Sequence, residues 1–218
     1  MINKIIHQIY FNLTDREIDE IEEFKQSSDI CKNQKGYEYK LWSEDDCQNL
    51  IDEHYSDYKS LYDNFRFEIQ KIDFIRFCIL HKFGGVYIDL DMFILKPLCD
   101  LLKGKKYVFH NVKDVQPNWS LIENDFMASI EGSPLWLDIM KECKTNYYEK
   151  LGVNVYETWK GRFIMQTTGP RFLSRYFKNK FPNYKPFNIA KTNKHTVDEE
   201  RFYIQDLKMN TWIKNKAL

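Results

Sequence analysis

An α/β fold, one domain with a sheet flanked by helices, is what this sequence predicts, on three observations. Apolar, strand-forming runs at residues 4–11, 37–42 and 86–91 alternate with helix-forming segments. A Gly84-Gly85 pair divides the longest helical pattern from the strand pattern after it, where a left-handed C-terminal residue is wanted. The length of 218 residues suits one good core.

The opening run Lys4, Ile5, Ile6, His7, Gln8, Ile9, Tyr10, Phe11 reads as a buried first strand, and Thr14 with Glu17 forms a capping box for a helix to about Phe24. Residues 37–42 alternate as a second strand, and Ser43 before Asp45 and Asp46 is a helix N-cap with an acidic first turn. That order places Trp42 and Ser43 at the carboxyl end of the sheet, where open α/β sheets bind ligands. Residues 50–67 continue as helix, and His54 and His81, without partners at ligand spacing, read as structural.

Ile69, Ile72, Ile75, Ile79 and Phe83 recur at three- and four-residue steps, one apolar stripe of an amphipathic helix. Asp73 and Arg76, three apart, share a neighbouring face. Past the glycines, Val86, Ile88 and Leu90 alternate with Tyr87, Asp89 and Asp91, a strand running to residue 91 with both carboxylates on one side. Pro97 ends the extended run that follows, and residues 107–110 make a short strand beside the site. Ser133 and Pro134 open a helix to about Tyr148, within a region from 111 to 160 expected to be an insertion. Thr167-Thr168-Gly169-Pro170 is a turn before another helix, whose free N–H groups suit anions or sugar oxygens.

Lys plus Arg and Asp plus Glu balance at 32 each, so no net field draws the chain to nucleic acid. The five cysteines are scattered with no C-x-x-C pair, which excludes a zinc knuckle or redox couple and leaves reduced, mostly buried thiols. Aromatic residues reach 16%, enough to furnish stacking surfaces as well as core.

Asp89 and Asp91 repel each other unless a cation lies between them. Hard oxygen ligands suit Mn2+ or Mg2+, completed by water and substrate phosphates. Spacing alone favours a strand end with solvated acids.

Asp73-Phe74-Ile75-Arg76, followed by Gly84-Gly85-Val86-Tyr87-Ile88-Asp89-Leu90-Asp91, resembles the DXD-containing glycosyltransferases, the family of the fungal initiating α-1,6-mannosyltransferase and the α-1,4-galactosyltransferase. The resemblance implies a GT-A type, Rossmann-like mixed sheet, with a nucleotide-sugar and metal-binding half at 1–110 and an acceptor-side half at 111–218. It implies metal-dependent, retaining transfer of a hexose from a nucleotide diphosphate sugar, a UDP-hexose in our reading, to a glycan, glycoprotein or glycolipid. By the same resemblance Gln8, Tyr10, Trp42, Ser43, Tyr87, Thr211 and Trp212 attend the donor, together with Asp73, Arg76 and Asp89. Asn124 or Asp125 lies near the reacting sugar, and Asp89, Asp91 and Asp206 hold the metal, with Asn210 and His195 competing for the third position. Family members usually close with a His where this chain has Asp206, itself an acceptable ligand for a hard metal. A silent sugar-nucleotide or glycan-binding module, or a metal-dependent phosphoesterase or glycosidase, stays open as an alternative.

Many eukaryotic members of that family are Golgi proteins with an N-terminal anchor. Here the first eleven residues are too short and polar for a signal sequence, and no run of about 18 apolar residues occurs. The expectation is a soluble, cytoplasmic protein of bacterial or viral type without an integral membrane segment.

Overall fold

The computed structural model describes residues 1–13, 15–112, 121–152, 160–188, 190–191, 202–207 and 209. In chain order the elements are β1 (Ile5–Ile9), α1 (Glu22–Lys32), β2 (Glu38–Trp42), α2 (Glu44–His54), α3 (Ser56–Asp63), α4 (Glu68–Phe83), β3 (Gly85–Ile88) and β4 (Met92–Ile94). They continue as α5 (Leu98–Leu102), β5 (Tyr107–Val112), β6 (Leu121–Ser129), α6 (Pro134–Lys150), α7 (Lys160–Thr167), α8 (Pro170–Lys180), β7 (Phe187–Asn188), β8 (Ala190–Lys191) and β9 (Ile204–Asp206). Among the described residues the main sheet runs β2-β1-β3-β6-β5-β7, and a small one runs β4-β9-β8. β1 pairs in parallel with β2 and β3, and β6 lies antiparallel to β3 and β5, so the sheet is mixed.

Period two along β3 divides the core. Tyr87, with Met127 and Phe109 of the neighbouring strands, faces a large cluster built from α2, α3, α4, α6, α7 and α8. Val86 and Ile88 face a second cluster with Leu98, Leu101, Met92 and Ile204. The region expected as an insertion instead supplies β6, inside the sheet, and Trp136 of α6, fully buried and stacked on Phe77 at 5.8 Å.

Helix α4 also differs from the expected single stripe. Phe74, Phe77, Cys78 and Leu80 are buried along with Ile69, Ile72, Ile75 and Ile79, so this helix is enclosed on all sides. The helix expected over residues 50–67 is broken at Tyr55, whose φ of -135° serves as C-cap of α2 and N-cap of α3. That break turns the Tyr55 hydroxyl inward, 3.0 Å from the Cys78 carbonyl and 2.7 Å from His81 Nδ1, which gives His81 its structural role. Thr14 lies outside the described residues; Glu17 and Glu20 form a capping box on a single 3-10 turn (Ile18–Glu20), and α1 begins at Glu22. All five cysteines are free, and only Cys99 is exposed.

Two glycines make the turn from α4 into the sheet. Gly84 and Gly85 have φ of +60° and +84°, and a Cβ on Gly85 would sit 2.5 Å from the Ile5 carbonyl oxygen. The Gly84 carbonyl accepts from His7 Nε2 at 3.1 Å, while His7 Nδ1 accepts from the Trp42 indole at 3.2 Å. Burial pushes the His7 pKa down to about 4, so the imidazole is neutral at pH 7 and its two nitrogens tie β1, β2 and the glycine turn together. Gly85→Ala is expected to lower stability by at least about 2 kcal/mol, left-handed strain adding to the clash with β1. An unchanged denaturant midpoint would refute that requirement.

Candidate active site

The expected strand to residue 91 stops at Ile88. Asp89 makes the last rung toward β6, its N–H donating to the Asp125 carbonyl at 2.8 Å. Its own carbonyl then turns away, accepting from Met92 N at 3.2 Å and from Gln8 Nε2 at 3.4 Å. The chain leaves the sheet there because the β1–β3 ladder ends at the His7–Tyr87 pair. Asp89, Leu90 and Asp91 thus occupy a tight turn between β3 and β4 rather than alternating along a strand.

Beneath that turn lies a set of polar side chains of which the sequence singled out only Gln8, as a donor residue; here its side-chain bonds support the turn. Gln8 Nε2 also donates to Ser27 Oγ at 2.9 Å, and Ser27 Oγ donates to the Met92 carbonyl at 2.7 Å. Tyr39 donates to Gln8 Oε1 at 3.0 Å. Gln8 and Ser27 are fully buried, so these bonds hold both ends of the turn from below.

Above the turn, Arg76 is the centre. Nη2 contacts Asp89 Oδ1 at 3.1 Å; Nη1 donates to the Asn124 carbonyl at 3.0 Å and lies 3.4 Å from Asp73 Oδ1. The guanidinium sits 4.8 Å over the Tyr87 ring, and the Tyr87 hydroxyl donates to Asp89 Oδ1. Asp73 also accepts from Asn124 Nδ2 at 2.7 Å and from Thr168 Oγ1 at 2.9 Å. Burial raises the pKa of both Asp73 and Asp89, and Arg76 opposes it in each case. Burial pulls the Arg76 pKa down, but Asp89, Tyr87, Asp73 and Asp125 together hold it above its ordinary value. An arginine in a protein keeps its proton, so the touching carboxylates supply the balancing charge.

Asn124 and Asp125 reach this point through a bulge. Phe109 pairs with Met127 and Asn111 with Ile122, so a step of two residues on β5 matches a step of five on β6. Opposite the bulge, fully buried His110 bonds Asp125 through Nε2, and among the described residues His110 Nδ1 finds no partner. The sequence suggested only a strand near the site at that position; no glycine in β5 or β6 marks the bulge.

Asp91 stands on the open side. The Leu207 N–H donates to its carbonyl at 3.0 Å, and the Met209 N–H to its Oδ2 at 3.2 Å. β9 pairs with β4 so that Asp206 lies opposite Met92, beside Asp91. Burial first, then the charges of Asp206 and Asp125, push the Asp91 pKa up to about 6. Among the described residues no three His, Cys, Asp or Glu side chains already converge as a metal centre. Asp91 and Asp206 form a two-carboxylate set, while Asp89 Oδ1 is engaged by Arg76 and Tyr87. Their mutual repulsion and hard oxygens fit Mg2+ or Mn2+, which commonly take one or two carboxylates plus phosphates.

The remaining expected donor residues divide. Tyr10 is half-buried at the end of β1, edge-on to Phe24 at 6.2 Å. Trp42 is buried against His7, and Ser43 caps α2 by accepting from Asp46 N at 3.1 Å, so both carry structural bonds here. Thr211, Trp212, Asn210 and His195 lie outside the described residues.

A mixed sheet with a buried helix feeding an acidic turn at the carboxyl end of its central strand defines the GT-A class of glycosyltransferase. Residues 20–109 match the family described as the glycosyltransferase sugar-binding region containing a DXD motif, and the chain belongs to the DXD-containing glycosyltransferases. It is 31% identical over 93% of its length to a mannosyl phosphorylinositol ceramide synthase of Saccharomyces cerevisiae, covering 48% of that protein. It is 28% identical over 81% of its length to inositol phosphoceramide mannosyltransferase 1 of Schizosaccharomyces pombe, covering 51% of it. The chain therefore spans about half the length of these relatives. In fold it matches the PaToxG glycosyltransferase with a TM-score of 0.59 and 16% identity, over 83% of this chain and 70% of that one.

These relatives correct the expectation of a soluble, cytoplasmic protein. They are named for inositol phosphoceramide, and a ceramide is a bilayer lipid. Among the described residues no helix is long and apolar enough to cross a membrane.

Two outcomes are expected from this geometry. Arg76→Ala leaves the buried Asp73 charge and the half-buried Asp89 uncompensated and costs about 3–5 kcal/mol in denaturation experiments; a loss below about 1 kcal/mol would show that the ion pairs do not matter to the fold. In metal-free protein, the Asp91 pKa lies above its unfolded value. Its stabilising contribution is thus complete below about pH 4 and is lost as pH rises through about 6. Asp206→Asn removes one cause of the shift, so the fall in denaturant midpoint between pH 4 and 6, measured in chelator, becomes shallower; identical pH slopes would contradict the coupling.

Proposed function

We propose that this domain transfers a hexosyl group, with retention, from a nucleoside diphosphate sugar to a hydroxyl of a glycolipid of the inositol phosphoceramide type. The observation that carries the reading is the charge balance at the carboxyl end of β3. Asp73, Asp89 and Asp125 act on one guanidinium, that of Arg76, while Asp206 and Asp125 act on Asp91 and help push its pKa up to about 6. Such a cluster of partly buried carboxylates favours a further cation.

Asp91 and Asp206 would hold the divalent ion. Bound there, Mn2+ or Mg2+ neutralises charge that builds on the departing diphosphate. Arg76 and Asp89 meet the hexose, with Asp73 and Asn124 keeping Arg76 in register. Asp125, backed by His110, lies on the acceptor side, where the β6 bulge aims it. Asp73 already accepts from Asn124 and Thr168, and Asp89 from Tyr87 and Arg76. Carboxylates so engaged are poor nucleophiles, which supports front-face attack in which the leaving phosphate takes the acceptor proton. The names of the curated relatives favour mannose as the hexose, and a UDP-hexose is the competing donor.

Asp91→Asn should fold normally, since it relieves repulsion, and lose transfer by about a thousandfold. The assay offers GDP-mannose, UDP-glucose or UDP-galactose with Mn2+ and inositol phosphoceramide in detergent micelles. Near-normal transfer by the folded variant would sink the metal assignment.

A further inference from the structure

The turn between α7 and α8 does something other than present free N–H groups. Thr168 is fully buried, and its hydroxyl has one proton to give. Asp73 Oδ2 lies 2.9 Å away and the Ile164 carbonyl 3.5 Å away, so the proton goes to the carboxylate. Next to it, Thr167 Oγ1 accepts from Gln70 Nε2 at 2.7 Å. Gln70 and Asp73 are one turn apart on α4, so two successive threonines clamp two successive turns of the buried helix.

The consequence runs through Asp73. Asn124 Nδ2 and Arg76 Nη1 share its Oδ1, while Thr168 alone among the described residues donates to Oδ2. A carboxylate gripped at both oxygens cannot rotate, and a fixed Oδ1 fixes the edge of Arg76 that faces Asp89. Resting on the function proposed above, we propose that Thr168 is a positioning residue for recognition of the donor's hexosyl group: through Asp73 it sets the orientation in which Arg76 and Asp89 meet the sugar. The nucleotide and diphosphate lie with Asp91 and Asp206, outside this chain of contacts. Loss of the Thr168 hydroxyl therefore weakens discrimination between a sugar nucleotide and the bare nucleoside diphosphate.

The test compares wild type, Thr168→Val and Thr168→Ser. Calorimetry with Mn2+ measures the affinity of GDP-mannose against GDP and of UDP-glucose against UDP, alongside transfer kinetics. In Thr168→Val, the preference of the wild type for the sugar nucleotide is expected to fall about tenfold with kcat/KM, and Thr168→Ser to restore both to within about threefold. In an Asp73→Asn background, Thr168→Val should lower the preference no further. If Thr168→Val does not fold, Thr168→Ala is measured in its place, with the same expected fall. Equal weakening toward sugar nucleotide and bare diphosphate, an unchanged preference in a folded variant, or failure of serine to restore it overturns the inference and leaves the proposed function standing. A wild-type protein that binds none of the four probes overturns both.

Discussion

Arg76 carries a permanent positive charge in a place water barely reaches, and much of the structure is arranged to make that tolerable. A lone buried cation of this size costs several kcal/mol after relaxation. Asp73 from the same helix, Asp89 from the end of β3 and the Asn124 carbonyl from the β6 bulge each meet one edge of it. Those three elements must therefore be held at fixed separations, and the apolar shell of α4 does so by packing it on all sides. Were α4 a surface helix with one apolar stripe, the guanidinium would be solvated, and neither Asp73 nor Asp89 would need to face it.

That requirement explains why the features nearest the site are backbone features. The glycine pair lets α4 turn back into β3 within two residues, so that Arg76 and Asp89 come from adjoining elements. The break after Ile88 lifts Asp89 and Asp91 out of the ladder, and Gln8 and Ser27 take up the carbonyls it releases. The β6 bulge aims Asn124 and Asp125 inward. Each departs from regular structure, and each is satisfied by buried polar side chains, as irregular backbone inside a protein must be.

Side-chain spacing made part of this legible in the sequence. Asp73 and Arg76 at three residues on a helix and the two glycines stand where they were expected, as does the Thr-Gly-Pro turn, while the acidic pair lies one step beyond the strand it was expected on. The end of β3 was hidden because Leu90 preserves the apolar alternation while packing with Ile21 and Phe24 rather than in the sheet. The contribution of His110 depends on a register shift between two strands, which no local pattern records. Ser27 and Gln8 meet across 19 residues of chain, a distance set by how α1 packs on β1. Trp42 was placed correctly at a strand end, but an aromatic there can face ligand or core, and the buried imidazole of His7 decides for the core.

The acidic side follows a different logic from the Arg76 side. Asp73 and Asp89 are balanced by Arg76, whereas burial and then the charges of Asp206 and Asp125 oppose the ionised form of Asp91. Nothing local in the sequence joins Asp91 and Asp206; the antiparallel β4–β9 ladder does, by setting Asp206 against Met92. The same ladder brings the Leu207 and Met209 N–H groups onto Asp91, so the closing segment of the chain and the acidic turn are bonded directly. A cation between the two carboxylates would relieve a repulsion that burial magnifies, and it would strengthen the hold of that segment on the turn. Metal affinity and the docking of β9 are in this way linked through the repulsion between Asp91 and Asp206, on the side assigned to the diphosphate in the function proposed above.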